Sequence, residues 1–141
     1  MRHTLFSLLF VALVALSACG ADEGSNLAPD AAPGSVPDVL GTYVVNGVDP
    51  LGTEYGGHLT IIEGEGLNRY QLQWIITGSI QEGTGSLEGN RLLVDWNTVD
   101  GLNRDARGTA EYTVTEAGEL YGTRTVFGSE ELGTEEAFPN E

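Results

Sequence analysis

The sequence contains no lysine and one cysteine, Cys19, and each shortage excludes a class of protein. A single cysteine cannot form an intramolecular disulfide, so the folded part must be held together by its core. Six arginines stand against twenty-one acidic residues, which gives a formal net charge of −15. Because this charge repels phosphate groups, we expect no nucleic acid partner.

Histidine is almost as scarce, since only His3 and His58 occur. Nucleophile–base pairs and zinc sites are built mostly from cysteine and histidine, so His58 is interpreted as a surface residue and not as a metal ligand. The carboxylates of Glu82 and Asp95 are predicted to face solvent. No phosphate-binding loop or dinucleotide motif is present. We therefore expect no enzyme, no metal and no cofactor, with a hydrolase as the least favoured hypothesis.

A short apolar run opens the chain, from Leu5 to Leu16. It is shorter than the ~20 residues that a spanning helix needs, and it fits the core of a signal peptide. The next residues, Leu16-Ser17-Ala18-Cys19, resemble the processing pattern of bacterial lipoproteins at all four positions. The resemblance implies cleavage between Ala18 and Cys19 and attachment of lipid, including palmitate, to Cys19. The alternatives are an ordinary secretory signal and an N-terminal helix of a cytosolic domain.

The predicted organisation is a signal peptide over 1–18, a lipidated linker over 19–37 and one domain over 38–141. The linker is small, polar and proline-bearing, and such composition favours a flexible tether. A lipidated Cys19 predicts anchoring to a membrane of the bacterial cell envelope. Gly20 follows the cysteine, which in the enterobacterial sorting rule that it resembles favours the outer membrane.

The remaining domain reads as all-β, because short runs of β-branched and aromatic residues alternate with glycine. No window shows a sustained helical period. Eight strands are predicted, at about 41–48, 53–63, 69–77, 80–88, 91–97, 108–115, 119–127 and 133–138.

Turn residues set the expected register of the central strands. A turn at Gly89-Asn90 places Leu87 opposite Leu92 and Gly83 opposite Trp96. A turn at Gly78-Ser79 would also place Trp74 opposite Gly83. Both tryptophans are then predicted to face the interior.

The last hairpin leaves two arrangements open. A three-residue turn ending at Gly118 puts Val114 opposite Leu120 and turns Arg124 inward. A two-residue turn would instead pair Arg124 with Glu111 on the outside, because a slip of one residue reverses every side chain.

Eight consecutive antiparallel strands predict an up-and-down meander barrel, with a β-sandwich as the alternative. The domain resembles small bacterial lipoproteins whose barrel is similar to avidin and lipocalin-like barrels, often named fibronectin-binding proteins. The resemblance implies the fold. This sequence departs from the family pattern at Arg124, where tryptophan is usual. It does not imply biotin binding, because the polar set of the biotin site is absent. The matching stretches are Leu40-Gly-Thr-Tyr-Val-Val, Tyr70-Gln-Leu-Gln-Trp-Ile-Ile, Gly83-Thr-Gly-Ser-Leu-Glu-Gly-Asn, Leu93-Val-Asp-Trp and Tyr112-Thr-Val through Gly118-Glu-Leu-Tyr-Gly-Thr.

Four residues are candidates for a ligand site. Tyr70, Trp74 and Trp96 either line a cavity or fill the core. Arg124, if it faces inward, needs an anionic partner from the protein or from a ligand. The expected function is a non-enzymatic, lipid-anchored barrel that binds a small apolar or anionic ligand or an extracellular protein. The alternative is a structural or inhibitory envelope module with a filled core.

Overall fold

The computed structural model describes residues 26–140, which form a closed barrel of eight antiparallel strands in chain order. The strands are β1 (Gly41–Val48), β2 (Glu54–Glu63), β3 (Arg69–Ile76), β4 (Ser79–Glu88), β5 (Arg91–Gly101), β6 (Arg107–Val114), β7 (Leu120–Arg124) and β8 (Gly133–Pro139). Pairing of β8 with β1 closes the barrel, so the predicted meander barrel is confirmed and the sandwich is wrong. No helix within 26–140 has the length and apolar character needed to cross a membrane. The predicted signal peptide and Cys19 lie outside the described residues.

The register predicted at Gly89-Asn90 is confirmed. Leu87 lies opposite Leu92, and Gly83 lies opposite Trp96. The two strands therefore meet with the apolar residues on the inner face, as the alternating pattern requires.

The register predicted at Gly78 is wrong by two residues. Ile76 pairs with Ser79, so the turn is Thr77-Gly78, and Trp74 lies opposite Gln81 and not opposite Gly83. Gly78 has φ of 74°, a conformation that glycine adopts at little cost. A shift of two residues preserves the face of every side chain, and Trp74 still points into the barrel.

The structure decides between the two arrangements at Gly118. Val114 pairs with Leu120, and Arg124 pairs with Ala110. Gly118 has φ of 78° and donates its N–H to the carbonyl of Thr115. The three-residue turn is therefore present, and Arg124 faces the interior.

An N-terminal segment, residues 28–40, lies against one end of the barrel. Ala31 donates its N–H to the carbonyl of Val114 at 2.9 Å, and Val39 is fully buried. Tyr43 donates its hydroxyl to the carbonyl of Val39 at 2.8 Å. These contacts close the end at which β1 begins, which we call the closed end.

The C-terminal part of the predicted linker, residues 28–37, contacts the barrel. Asp30 forms a β-bridge with Thr115, and Val36 packs on the core. The composition suggested a flexible tether because few side chains can be buried there. Backbone hydrogen bonds, which composition does not report, hold this part of the chain together with the packing of Ala31 and Val36.

Gly47 makes room for a large side chain inside the barrel. It lies between Tyr55 on β2 and Glu135 on β8. A Cβ atom at this position would overlap the ring of Tyr55. The missing side chain of Gly47 therefore allows Tyr55 to lie flat across β1.

We expect Gly47→Ala to lower the free energy of unfolding by about 1–3 kcal/mol, because Tyr55 must move out of a packed position. The measurement is urea unfolding followed by tryptophan fluorescence. Gly34→Ala is the matched control, since a Cβ there meets nothing within 4 Å. Equal stability of the two variants would contradict the packing role of Gly47.

Candidate functional site

A buried ion pair lies at the centre of the barrel. Nη1 of Arg124 on β7 is 2.7 Å from Oε2 of Glu135 on β8, and the two residues are 4% and 1% exposed. Removing two such charges from water costs several kcal/mol for each ion unless further hydrogen bonds compensate. The surrounding side chains supply those bonds.

The Glu135 carboxylate accepts four hydrogen bonds. Oε1 accepts from Nε1 of Trp74 at 2.9 Å and from the hydroxyl of Tyr112 at 2.6 Å. Oε2 accepts from Nη1 of Arg124 at 2.7 Å and from the hydroxyl of Tyr55 at 2.5 Å. A carboxylate has about four acceptor positions, so none is left for another group.

The Arg124 guanidinium is also held by further protein groups. Nη2 donates to Oε1 of Gln81 at 2.6 Å. The guanidinium carbon lies 4.9 Å from the ring centre of Trp74 and 4.5 Å from that of Trp96, within the range of cation–π attraction. The anionic partner that an inward arginine requires is thus Glu135. We call this group the Glu135 cluster; its members are Tyr55, Trp74, Gln81, Trp96, Tyr112, Arg124 and Glu135.

Burial and neighbouring charges shift the pKa values of three members of the cluster, Tyr55, Tyr112 and Arg124. Burial, reinforced by the Glu135 carboxylate, raises the pKa of Tyr112 well above its usual 10.0 and also raises the pKa of Tyr55. Burial alone would lower the pKa of Arg124, but Glu135 and the two tyrosines raise it. The tyrosines are therefore neutral donors at neutral pH, while Arg124 keeps its charge.

A cavity of about 600 Å³ opens above the Glu135 cluster, at the end of the barrel opposite the closed end. We call it the mouth cavity. Tyr55, Gln81 and Arg124 line it from the cluster side. Apolar side chains form much of the wall, and three exposed ones mark the rim. The wall residues are Val48, Ile76, Trp96, Ala106 and Val126, and the rim residues are Leu51, Leu102 and Phe127.

Two hydroxyl groups at the mouth cavity have no hydrogen-bond partner among the described residues. They are Oγ of Ser79 and Oγ1 of Thr98, and both are shielded from solvent. Ser79 and Thr98 lie on the neighbouring strands β4 and β5 and both line the cavity. Buried polar groups are normally hydrogen-bonded. A ligand that forms a hydrogen bond to an unpaired group beside a cavity therefore gains binding free energy.

A larger groove, of about 750 Å³, lies on the outside of the barrel wall. Its lining includes exposed polar side chains such as Gln73, Glu82 and Asn97. Water already forms hydrogen bonds to such groups, so a ligand gains less binding free energy in this groove than in the mouth cavity.

The structure separates the four predicted ligand residues. Trp96 and Arg124 line the mouth cavity. Trp74 is fully buried beneath it, where its indole N–H binds Glu135. Tyr70 is half-buried near the start of β3, towards the closed end, and does not line the cavity.

Sequence reasoning missed Glu135, the acceptor on which the cluster is built. Glu135 is the first of two consecutive acidic residues, Glu135 and Glu136. The signal was strand parity, because Glu135 alternates with Gly133 and Ala137, which are both buried. Only Glu136 of the pair is exposed.

The other polar candidates lie on the outer surface. His58, Glu82 and Asp95 are all exposed. Within residues 26–140, no group of three or more His, Cys, Asp or Glu is arranged to hold a metal ion.

The chain is similar in fold to a solved structure, a de novo designed fluorescence-activating β-barrel. The TM-score is 0.53 at 17% sequence identity, over 72% of this chain and 93% of the designed chain. At this identity the likeness shows the β-barrel fold alone. No protein-family model and no curated protein matches the chain. The lipoprotein and fibronectin-binding resemblance therefore stays a prediction from the sequence.

We expect Glu135→Gln to lower the free energy of unfolding by about 3–5 kcal/mol, because Arg124 keeps a buried charge without its partner. Glu111→Gln is the matched control. It removes the partner of Arg91 in an ion pair whose side chains are half-exposed, where a loss of about 0–1 kcal/mol is usual. Urea unfolding at neutral pH measures both variants. Similar losses for the two would contradict the central role of the Glu135 cluster.

Proposed function

We propose that this chain is a lipid-anchored envelope lipoprotein whose barrel binds a small molecule in the mouth cavity without catalysing a reaction on it. The observation that carries the proposal is the cavity itself, which opens at one end of the barrel and is lined by Ser79 and Thr98, two residues whose hydroxyls are unpaired. The likeness to a designed barrel supports the proposal, because that protein has a similar fold and is described as fluorescence-activating.

The size of the cavity favours a ligand over a filled core. Ligand pockets usually enclose about 300–1,000 Å³, and the mouth cavity, at about 600 Å³, falls within that range. The interior is filled with side chains towards the closed end, where Leu59, Leu92 and Leu120 are fully buried, so the filled-core alternative fits that end alone. A barrel of eight strands can thus be packed at one end and open at the other.

The state of the charged groups favours binding over catalysis. A general base needs a free acceptor position, and all four positions of Glu135 are occupied. Arg124 is held by Glu135, Gln81 and two indole rings. Neither residue is free to take part in a reaction.

The anchor is proposed from the Leu16-Ser17-Ala18-Cys19 pattern. We expect Cys19→Ser to move the protein from the membrane fraction to the soluble fraction, because the lipid is lost. The measurement is cell fractionation and immunoblotting, with wild type as the reference. The circular dichroism of the released variant should keep its β-sheet character. A Cys19→Ser protein that stays in the membrane fraction would refute the lipid anchor.

The binding function is tested with N-phenyl-1-naphthylamine, an uncharged fluorophore that brightens in apolar surroundings. We expect saturable binding of one molecule to the soluble Cys19→Ser protein. Ala106→Phe should weaken it at least about tenfold, which is about 1.4 kcal/mol, because the ring occupies the mouth cavity. Ala117→Phe is the matched control, since Ala117 is exposed at the closed end.

Equal binding by the two phenylalanine variants would place the probe outside the mouth cavity. Failure of the unaltered barrel to bind the probe would remove the small-molecule function. The second candidate would then be an extracellular protein partner, such as fibronectin. It is favoured by the exposed apolar side chains of Leu51, Leu102 and Phe127 at the rim.

A further inference from the structure

The charge inside the barrel is already balanced. Arg124 carries the positive charge and Glu135 the negative one, and each is bonded to the other. An ionised ligand group entering the mouth cavity would lose its hydration and find no free counter-charge on the cluster. Such desolvation without pairing is strongly unfavourable, so the cluster disfavours both anions and cations.

The hydrogen-bonding groups of the cavity that lie next to the cluster are neutral. The two carboxylates in the lining, Asp49 and Glu54, lie in the turn after β1 and at the start of β2; Asp49 accepts the N–H groups of Leu51 and Thr53, and Glu54 is exposed to water. Arg124 has no acceptor atom, so its contact fixes the amide of Gln81 with the oxygen towards the guanidinium. The amide nitrogen of Gln81 is then left as a donor beside the cavity. Thr98 adds an unpaired hydroxyl, and a χ1 rotation of about 120° exchanges that hydroxyl with its methyl group.

Apolar surface surrounds these neutral groups. Ile76, Trp96 and Val126 are partly or fully buried and form the wall. Leu102 and Phe127 continue the apolar surface to the rim, where they are 74% and 75% exposed. Covering them with a ligand would remove apolar area from water, which is favourable.

We infer that the ligand is an uncharged amphiphile. A hydroxyl, carbonyl or amide end binds Gln81 and Thr98, and an apolar body lies along the wall towards the rim. The inference rests on the proposed small-molecule function and narrows its ligand class. It replaces the anionic ligand that Arg124 suggested in the sequence, because Glu135 already neutralises that arginine.

The test compares three compounds with the same ten-carbon chain and different ends: 1-decanol, decanoate and decyltrimethylammonium. Each compound is titrated at neutral pH against the Cys19→Ser protein with N-phenyl-1-naphthylamine bound, and displacement of the probe is measured. The concentration of each compound stays below the value at which it forms micelles. Salt at about 1 M shortens the Debye length to about 3 Å, which screens the net acidic charge of the chain. We expect 1-decanol to bind at least tenfold more tightly than either ion.

Two threonine variants locate the polar end. Thr98→Val keeps the shape of the side chain and should weaken 1-decanol binding about 2- to 10-fold through the lost hydrogen bond. It should not lower stability, because the hydroxyl it removes is unpaired. Thr115→Val is the matched control. Thr115 is a buried threonine of the closed end whose hydroxyl binds Glu119, so this change should leave 1-decanol binding unaltered.

Each outcome decides one claim. Displacement by decanoate or decyltrimethylammonium at the same concentration as 1-decanol would overturn the uncharged ligand, while the binding function would stand. Unchanged 1-decanol affinity in Thr98→Val would overturn the assigned polar end. Absence of probe binding to the unaltered barrel is the separate result that refutes the proposed function.

Discussion

The Glu135 carboxylate is the interaction on which the interior of this barrel depends. Four donors from β2, β3, β6 and β7 converge on a single acidic side chain of β8. A buried carboxylate is tolerable only when its acceptor positions are filled, so the four strands must hold their donors in register at the same time. The cluster ties distant parts of the meander together at mid-height and separates a packed end from an open one.

The same interaction determines the chemistry of the open end. Because the arginine is neutralised from within, the part of the mouth cavity next to the cluster presents amide and hydroxyl groups above a balanced charge pair. The two tryptophans have different roles. Trp74 is buried beneath the cavity and donates a hydrogen bond to Glu135, whereas Trp96 contacts Arg124 and also lines the cavity wall. An inward arginine alone would suggest an anion site. Arg124 instead forms part of the uncharged-overall surface that the Glu135 cluster presents to the mouth cavity.

Much of the fold followed from the sequence, because antiparallel neighbours are set by local turns. The Gly-Asn turn fixed one hairpin, whereas Thr77-Gly78 and Gly78-Ser79 bury the same faces and could not be told apart by apolar pattern. The site was less accessible, since Glu135 meets Trp74 and Tyr112 at separations of 61 and 23 residues. The local pattern of apolar and polar residues carries no information on contacts between residues so far apart in the sequence. The local sign that Glu135 faces inward is its alternation with Gly133 and Ala137 along β8.

The route of the N-terminal segment gives the barrel a polarity relative to any point of attachment before it. The chain meets the barrel at the closed end, where Ala28 binds Glu119. From Cys19 to Ala28 is nine residues, which extend at most about 32 Å. An anchor at Cys19 would therefore keep the closed pole within that radius of the bilayer. The mouth cavity would then lie at the pole of the barrel opposite the point of attachment.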